Sequence, residues 1–558
     1  MARVLLAYAN PAVTAQPVPP YGLECVAHAF RAAGCEVEIV SPFIEDDAPA
    51  ALAAAIARVK PAMVGLSVRN LDDALVVRSA AGEGDIDTTD YTGEVGSLVD
   101  AAIALLGRDS VVLGGAALAA APGVVGRRLG ARWVIAGPAE DLCWRAGRAL
   151  ATTGQFAWPE DARVHDLDRA APIGSRRAAM AGWRPVPGPT PRDGAWLRLA
   201  VARGGRVAVN VTTGCDRRCH FCVEAAFTGG AVRPRAVDDV VTEVRLLAQA
   251  GARRFWLACS EFNVPGTAHG VAVLRALASA GLARPGGPLD FATFIQPAPV
   301  DDALLDAFEA CGIDPSGLSF EFGHLDDRVL RAGGGPCNRR QIDRLVNIWQ
   351  GRGYRVLGGS VLLGAHPSET EETLESALAT AREIDGAFPD GFGLAYACGA
   401  RMYPGSTLSR LVDASGPGVY AAGDIDLDLV RPVVYCRPWS PRVLLARVAA
   451  RLQGTRAPMR PMNAEASDDR SLLAAEKRVN RGIVRLHERR FIDALEAFDS
   501  ALELAPTHLE ALSQAAQASA NGLGDIALAR AYLSRLQNAL PPGDHRRAEV
   551  GRAVASLG

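Results

Sequence analysis

Residues 206–222 read RVAVNVTTGCDRRCHFC, an apolar run that leads into three closely spaced cysteines. The apolar run predicts a buried strand over Val207–Thr212. Cys215, Cys219 and Cys222 follow on the loop directly after this strand. Three thiolates on one short loop are soft ligands that suit an iron–sulfur cluster or zinc. A [4Fe–4S] cluster held by only three cysteines keeps one iron open for a substrate or cofactor.

Two alternatives to a cluster remain open at this point. A zinc site would need a fourth ligand, for which His220 is present but stands between the cysteines, and the three thiols could also be close by coincidence. The location of the loop favours the cluster, because the loop follows the first strand of a β/α series. Barrels of this type carry their active sites at that end of their strands.

Strands and helices alternate after the cysteine loop, which predicts an α/β domain over residues 206–455 with a partial or full barrel of six β/α units, (β/α)6. Its predicted strands are Val207–Thr212, Phe255–Ala258, Asp290–Ile295, Leu318–Phe322, Arg355–Leu363 and Gly391–Ala397. Glu261 follows the second strand, where a carboxylate could bind iron or act as a base. Cys259, His324 and His366 also lie at strand ends, where a structural role is the simpler interpretation.

Residues 1–155 show the same alternation, which here predicts a doubly wound, Rossmann-like domain with helices on both faces of a parallel sheet. Such a sheet binds ligands at the carboxyl ends of its strands. The loops predicted at that edge are Asn10–Tyr21, Arg69–Asp73, Gly114–Ala117 and Gly137–Glu140. The pair Gly114-Gly115 allows the backbone to approach a flat cofactor. No GxGxxG fingerprint is present, so a nucleotide site and a purely structural domain both stay open.

The remaining segments are predicted to be two linkers and a helical domain. Residues 156–205 are rich in proline, arginine and glycine, and residues 456–470 are polar, so both are predicted as linkers. Residues 471–558 are predicted as an all-α domain, because their small residues and prolines recur in a pattern that resembles tetratricopeptide (TPR) repeats. Two repeats are few for a free array, so we expect this domain to pack on the barrel or to cap it.

The composition excludes several classes of protein. Of the 558 residues 49% are apolar, which rules out a mainly disordered chain. The 59 basic and 62 acidic residues leave a net charge of −3, so no global attraction to nucleic acid or to an anionic membrane follows. No run of apolar residues is long enough for a transmembrane helix, and 11 cysteines, an odd number, do not resemble a disulfide framework. We therefore expect a cytoplasmic protein without membrane or nucleic-acid partners.

The cysteine motif resembles the CxxxCxΦC signature of the radical S-adenosylmethionine superfamily, with Phe221 as the aromatic residue before the last cysteine. The resemblance covers about residues 206–450 and includes the stretches GGSVLLGAHPSETEET and ARMYPGSTLSRL. It implies a [4Fe–4S] cluster whose open iron binds the amino and carboxylate groups of S-adenosylmethionine, and whose electron releases a 5′-deoxyadenosyl radical. By the same resemblance Phe221 flanks the adenine, Gly229 and Gly230 approach the amino group, and Glu321 serves the ribose or the ammonium. A buried salt bridge is the alternative for Glu321.

With the first domain included, the chain resembles the cobalamin-dependent branch of that superfamily, through PPYGLECVAHAFRAAGCEVEIV and VVLGGAALAAAPGVVGRRLGARWVIAGPAED. The DxHxxG motif is absent from the first domain, which implies a corrinoid without a histidine on its cobalt. Arg69, in LSVRNLDD, would lie under the lower face of the corrin, where a guanidinium is a poor ligand because it stays protonated. An ion pair of Arg69 with Asp72 or Asp73 is the alternative. The contacts implied for cobalamin are Tyr21, Arg69, Asn70, Gly114, Gly115 and Gly137.

The resemblance implies a C-methyltransferase of natural-product biosynthesis with S-adenosylmethionine, a [4Fe–4S] cluster and cobalamin, in its methylcobalamin form, as cofactors. Arg69, Glu261 and Glu321 are its candidate catalytic residues. The arginine is similar to that of the tryptophan 2-methyltransferase subgroup, which points to an indole among small-molecule and peptide substrates. An external electron donor such as flavodoxin or ferredoxin is implied, and the helical tail could contact a peptide or carrier protein. A cyclase or ring-contraction enzyme and a corrinoid or cluster sensor remain alternatives.

Overall fold

The computed structural model describes residues 1–557 apart from residues 13–17, 74, 119–120, 162, 170–188, 193, 225–227 and 463–468. Three regions follow one another along the chain, namely a sheet domain, a barrel with an extension and a group of helices.

The first sheet has six strands in the order β2-β1-β3-β4-β5-β6. They are β1 (Arg3–Ala9), β2 (Glu36–Val40), β3 (Met63–Val68), β4 (Val111–Gly114), β5 (Trp133–Ile135) and β6 (Val164–Asp166). The first five strands pair in parallel, and all residues of β1 after Arg3 are buried, because helices cover both faces. These helices are Tyr21–Ala32, Ala48–Val59, Thr92–Leu106, Pro122–Arg128 and Glu140–Thr153. The strand order reverses between β1 and β3, which is where a doubly wound sheet binds its ligand.

The segment 156–205, predicted as a linker, contains regular structure on both sides of its undescribed part. β6 adds to the sheet antiparallel to β5. The helix Gly194–Ala202 buries Trp196 and Leu199 against the first domain. The prediction of a linker from proline and arginine content was therefore incomplete. The strand β6 and the helix Gly194–Ala202 are stabilised by contacts with distant parts of the chain, which composition does not record.

The barrel consists of two parallel sheets that meet where Ile295 bridges to Phe320. Its strands are β7 (Val207–Asn210), β10 (Arg254–Ala258), β11 (Asp290–Ala292), β12 (Ser319–Gly323), β13 (Leu357–Leu363) and β14 (Phe392–Cys398), with a short hairpin of β8 (Thr212–Thr213) and β9 (Arg233–Pro234) beside β7. The helices between them are Val237–Gln249, Ala268–Ser279, Asp302–Ala310, Asp327–Ala332, Arg339–Gly351 and Glu371–Ala387. All six predicted strands are present, and the alternating side chains that face the helices form one apolar core.

The extension after β14 carries β15 (Ala400–Arg401), β16 (Val419–Tyr420), β17 (Val434–Tyr435) and the helices Leu408–Leu411 and Pro441–Arg451. β18 (Arg460–Pro461) pairs in parallel with β14. Part of the predicted linker 456–470 thus completes the barrel sheet.

The C-terminal region is all α. Its helices are Arg470–His487, Phe491–Leu504, Leu509–Gln517, Ile526–Ala539 and Arg546–Ser556. The first two pack closely, because a Cβ atom at Gly482 would lie 2.3 Å from the Phe498 ring. The tetratricopeptide assignment stays a prediction. The helices share an apolar cluster with the first domain and with Trp196, whereas the core cluster of the barrel contains no described residue from this region. The expectation that the region packs on the barrel is therefore wrong.

Candidate functional site

The cysteine loop begins at Gly214, whose φ is +96°. A Cβ atom at this position would lie 1.9 Å from the carbonyl oxygen of Ala231, so only glycine lets the chain turn into the loop. The antiparallel pair of β8 and β9 holds both ends of the segment that carries the cysteines. The loop leaves the barrel at the carboxyl end of β7, as the sequence predicts.

The three thiols of the loop are close enough to influence one another. Burial raises the pKa of Cys215 to about 11 and that of Cys219 to about 12. In both residues the charge of Cys222 raises the pKa further. Neighbouring thiolates that repel each other in this way become stable when they share a cationic centre.

The chemistry of this donor set fits an iron–sulfur cluster. In a cluster each thiolate binds a different iron, and the positive charge of the iron lowers the pKa of its ligand. No group of three or more His, Cys, Asp and Glu side chains in the described part of the chain is arranged to share one metal ion. Cys215, Cys219 and Cys222, which lie on one loop, are the residues that would hold the cluster.

His220, the fourth ligand that a zinc site would need, is occupied by the backbone. Its Nδ1 lies 3.2 Å from the carbonyl oxygen of Gly333, and its Nε2 lies 3.1 Å from that of Ala365. Burial lowers the pKa of this imidazole below its usual value. A neutral imidazole has one N–H, which donates to one of these two carbonyl oxygens and so braces the cysteine loop against another part of the barrel.

Glu261 and Glu321 form a pair of carboxyl groups beside the cysteine loop. Burial raises the pKa of both, that of Glu261 to about 8, and the charge of Glu321 contributes to the rise at Glu261. Ser360 donates a hydrogen bond of 2.5 Å to Glu321. Oε2 of Glu261 is buried without a hydrogen-bond partner, and the charge of Glu261 raises the pKa of Cys219. A carboxyl group in this position can bind iron as an anion or hold a proton as a base.

No salt bridge involves Glu321 among the described residues, so the structural alternative considered for it finds no support there. Cys259 lies 3.4 Å from both the hydroxyl of Thr293 and the carbonyl oxygen of Leu257. These contacts give Cys259 the structural role that its position at a strand end predicts.

His324 and His366 brace the turn that follows β13. Nε2 of His324 lies 3.2 Å from Glu369. Glu369 also accepts hydrogen bonds from the backbone N–H groups of Gly364 and His366. The ring of His366 contacts that of His220 edge-on at 4.7 Å, and burial lowers the pKa of His366 to about 4. Both histidines are therefore part of the scaffold behind the cysteine loop.

Phe221 packs against the apolar cluster that contains Met402 and Leu408. Gly229 and Gly230 have φ values of +64° and +75°, so the chain reverses direction there in a conformation that favours glycine. The contacts of these three residues with S-adenosylmethionine stay predictions.

A cavity of about 840 Å³ lies between the carboxyl edge of the first sheet and the barrel. The predicted loops contribute Tyr21, Arg69, Gly114, Gly115 and Gly137 to its wall. Asn70 does not belong to this wall, and the next residue, Leu71, is buried in the apolar core of the first domain. The cavity extends into the first domain, where its lining is apolar and includes Leu6, Leu23, Val26, Phe30 and Cys143.

The barrel supplies the opposite wall, which the sequence analysis missed. Its residues include Ala208, Asn210, Thr213, Arg235, Trp256 and Phe294. Trp256 and Phe294 contact each other edge-on with ring centroids 4.6 Å apart. The alternation along β10 carried the signal, because Phe255 and Leu257 are buried in the core and Trp256 points the other way.

Arg69 lines the cavity, and no carboxylate in the described part of the chain forms an ion pair with it. Asp72 pairs with Arg401, and Asp73 pairs with Arg78, so the ion pair considered as the alternative does not form among the described residues. The positive charge of Arg69 is close enough to Tyr8 to lower the pKa of the Tyr8 hydroxyl, against the larger effect of burial, which raises it. This arrangement keeps a cationic group at the carboxyl end of β3.

Gly115 shows why the sheet edge needs glycine. Its φ is +105°, and a Cβ atom there would lie 2.3 Å from the carbonyl oxygen of Val68. The absence of a side chain lets β4 end directly against β3. A flat ligand can therefore approach the backbone at this edge.

A buried network of charges closes the cavity and joins the first domain to the barrel. Arg192 pairs with Glu24 at 2.5 Å and with Glu243 at 3.5 Å. Arg235 pairs with Glu243 at 2.6 Å and donates a hydrogen bond to the hydroxyl of Tyr21. Both glutamates are 1% exposed. Sequence reasoning missed this network because its members are scattered over more than 200 positions of the chain.

No helix among the described residues is both long and apolar enough to span a membrane.

Two protein families match separate parts of the chain. Residues 209–381 match the Radical SAM superfamily, and residues 10–144 match the B12 binding domain. These matches confirm the predicted pairing of the two domains. With it they confirm the set of three cofactors, a [4Fe–4S] cluster, S-adenosylmethionine and cobalamin.

Two solved structures resemble the fold over most of its length. The radical S-adenosylmethionine methyltransferase TsrM from Kitasatospora setae, with cobalamin and a [4Fe-4S] cluster bound, has a TM-score of 0.66 at 21% identity and covers 88% of this chain and 100% of its own. The cobalamin-dependent S-adenosylmethionine radical enzyme OxsB, with aqua-cobalamin and S-adenosylmethionine bound, has a TM-score of 0.58 at 12% identity and covers 100% of this chain and 84% of its own. At these identities the likeness shows the fold alone.

Curated relatives match a shorter part of the chain. The ribosomal protein uS12 methylthiotransferase RimO of Frankia alni is 30% identical over 275 residues, which is 42% of this chain and 49% of the relative. RimO of a Nocardioides species is 32% identical over 200 residues, which is 34% of this chain and 40% of the relative. The chain thus spans half or less of the length of these relatives.

Proposed function

We propose that this chain, which combines a match to the Radical SAM superfamily with a match to the B12 binding domain, is a cobalamin-dependent methyltransferase. Its reaction transfers a methyl group from S-adenosylmethionine, by way of the corrinoid, to a carbon atom of a small-molecule or peptide precursor of a natural product. An indole such as tryptophan is the proposed substrate class, which follows from the resemblance of the Arg69 region to the indole-methylating subgroup.

The single observation that carries this proposal is the cavity of about 840 Å³ between the two domains. One wall is the glycine-lined sheet edge with Arg69, and the other wall is the barrel. Thr213, which lies two residues before Cys215, belongs to the barrel wall. The cavity therefore brings a site for a flat cofactor next to the loop that holds the cluster.

When bound, the cluster supplies an electron, S-adenosylmethionine supplies the methyl group, and the corrinoid carries that methyl group. The chain's own residues position these groups and exclude water. The buried pairs Arg192–Glu24 and Arg235–Glu243 hold the two walls together, and the apolar lining around Leu23 and Phe30 keeps the depth of the cavity dry.

Arg69 lies on the first-domain wall of the cavity. Its guanidinium stays protonated and is therefore a poor ligand for cobalt. A corrinoid above it would have no strong ligand on that face, which favours polar over radical transfer of the methyl group. Glu261 holds a proton at neutral pH in the absence of a cluster, because burial raises its pKa to about 8. The pair Glu261 and Glu321 can therefore exchange a proton with a bound substrate or supply a further ligand to iron.

The partners of the enzyme follow from the same proposal. An external donor such as flavodoxin or ferredoxin supplies electrons, and the C-terminal helices contact a peptide or carrier protein. Methylthio transfer is a second candidate function, favoured by the 30% identity to RimO.

The test is an anaerobic incubation of the reconstituted full chain with hydroxocobalamin, reductant, S-adenosylmethionine deuterated in its methyl group and an indole panel that includes tryptophan. We expect the label on the corrinoid and on a carbon atom of the product. Formation of 5′-deoxyadenosine separates radical from polar transfer. The variant Cys215→Ala is the matched control, and it should bind the corrinoid without forming product.

Other results would contradict the proposal in distinct ways. A sulfur-containing product would favour methylthio transfer, and a rearranged product without the label would favour a cyclase or ring-contraction enzyme. Corrinoid binding without any turnover on the panel would favour a sensor. If no corrinoid binds, the cavity is not a corrinoid site.

A further inference from the structure

One segment of the first domain leaves its own sheet and packs on the barrel. Residues 70–91, which we name the strap, connect β3 to the helix Thr92–Leu106. The two halves of the strap run antiparallel at its base, where Asp72 bridges to Asp90. Val76, Val77 and Ile86 are buried in the apolar core of the barrel. Both ends of the strap thus lie in the first domain, one of them next to Arg69, and its middle part packs in the barrel.

The barrel extension holds the base of the strap through a buried ion pair. Nε of Arg401 lies 2.8 Å from Oδ2 of Asp72, and the two side chains are 5% and 4% exposed. The other nitrogens of Arg401 donate to the carbonyl oxygens of Met402, Leu429 and Val430. A guanidinium with this many fixed acceptors holds its carboxylate in one place, since neither charge can move away without losing buried partners.

The ion pair of Asp72 and Arg401 lies between the cavity wall at Arg69 and the cysteine loop. On one side, Asp72 is three residues from Arg69, which lines the cavity. On the other side, the guanidinium of Arg401 lies over the ring of Tyr403, 5.0 Å from its centroid, in the segment that leads to Leu408. A further link is the backbone N–H of Leu408, which donates a hydrogen bond of 2.8 Å to the carbonyl oxygen of His220.

We propose, resting on the function proposed above, that Asp72 and Arg401 are positioning residues that fix Arg69 in the cavity wall and thereby set the coordination of the corrinoid on the face next to Arg69. Loss of the negative charge at Asp72 leaves Arg401 buried without its anion, and the base of the strap loosens. Arg69 then shifts, and water can reach the cobalt on that face.

The far end of the strap provides a matched control. Arg442 donates from Nε to the carbonyl oxygen of Gly84 and from Nη2 to Asp87 at 2.6 Å. The variant Asp87→Asn therefore removes an ion pair between the same two domains, as Asp72→Asn does, but at the end of the strap that is remote from Arg69. A role limited to holding the domains together predicts the same consequences for both variants.

The experiment compares the wild type, Asp72→Asn and Asp87→Asn as full chains reconstituted with the cluster and hydroxocobalamin. The optical spectrum and the electron paramagnetic resonance spectrum of the reduced corrinoid report its axial coordination. We expect Asp72→Asn to show the spectrum of a water-bound corrinoid and methyl transfer slower by roughly 10-fold to 100-fold, as for other supports of a metal site. We expect Asp87→Asn to keep the wild-type spectrum.

The proposal is overturned if the wild type binds the corrinoid and Asp72→Asn keeps its spectrum, or if both variants change it equally. If Asp72→Asn folds poorly, Arg401→Lys gives the same comparison, since it keeps the charge but loses the planar set of donors. A wild type that binds no corrinoid would overturn the function proposed above and this inference with it. The wild-type sample therefore separates the two failures.

Discussion

The cysteine loop and the cavity wall are built in opposite ways. The loop takes all its cluster ligands from residues 215–222, and local turns such as that at Gly214 give it its shape. The cavity takes Arg69 and Gly115 from one domain and Asn210 and Trp256 from another. The difference shows that the proposed cluster site depends on short spacing, whereas the proposed corrinoid site depends on how two domains pack.

A substitution in one of the two regions should therefore leave the other region intact. The largest loss of activity is expected at the cysteine loop. Cys219→Ala removes one of three cluster ligands, so we expect loss of bound iron and of all methyl transfer. The proposed corrinoid site is built from other parts of the chain, so corrinoid binding should persist in this variant. Iron analysis and corrinoid stoichiometry on the same sample test this separation.

Cys259→Ser is the control for Cys219→Ala, because Cys259 is half-buried like Cys219 and its thiol is engaged by Thr293 and Leu257. The variant Cys259→Ser should have the same iron content as the wild type. Loss of iron from Cys259→Ser, or retention in Cys219→Ala, would contradict the assignment of the ligands.

The next largest effect is expected where the two walls of the cavity are joined. Glu243→Ala leaves Arg192 and Arg235 buried without their shared anion, which costs about 3 to 5 kcal/mol for a buried pair. We expect a lower free energy of unfolding and weaker corrinoid binding, measured by denaturant titration and by optical titration. Glu383→Ala is the control, since its pair with Arg339 is exposed and contributes about 0 to 1 kcal/mol. Equal losses in both variants would show that the network does not hold the cavity.

A smaller effect is expected at the sheet edge. Gly115→Ala introduces a Cβ atom that would lie 2.3 Å from the carbonyl oxygen of Val68 at a φ of +105°, so the turn must shift. We expect a loss of roughly 1 to 3 kcal/mol in stability and weaker corrinoid binding, with normal iron content. Gly154→Ala, at a φ of +71° with no atom within 4 Å, serves as control and should bind the corrinoid normally. Iron loss in Gly115→Ala would show that the two sites are not independent.

A last effect, which is seen only at acid pH, is a pH dependence that arises behind the cysteine loop. Burial lowers the pKa of His366 from 6.5 to about 4, so between these values the unfolded chain binds more protons at this residue than the folded chain. The contribution of His366 to stability is complete above pH 6.5 and is lost as the pH falls towards 4. The loss is about 1 to 3 kcal/mol. Denaturant titrations from pH 7.5 to 4.5 should show a flatter slope for His366→Asn.

His545→Asn is the control for this pH dependence, because the His545 side chain is 90% exposed. Its slope should equal that of the wild type. An unchanged slope in His366→Asn would assign the acid sensitivity to other groups.

Local patterns in the sequence predicted much of this molecule. The strands that end at Asn210, Ala258 and Leu363 follow from apolar runs, and the site of the cluster follows from the spacing of three cysteines. The glycines at 114 and 115 mark the sheet edge because only glycine tolerates the backbone conformation found at Gly115. The strands and the cysteine spacing depend on interactions between near neighbours, so the local order of residues is enough to predict them.

Only the tertiary structure decided which distant segments meet. It placed the helix Gly194–Ala202 and the C-terminal helices on the first domain, left Asn70 outside the cavity and brought Trp256 into its wall. It also paired Asp72 with Arg401, which is 329 positions away. The physical reason is that burial selects partners by shape and charge across the whole chain, and no local spacing records that choice.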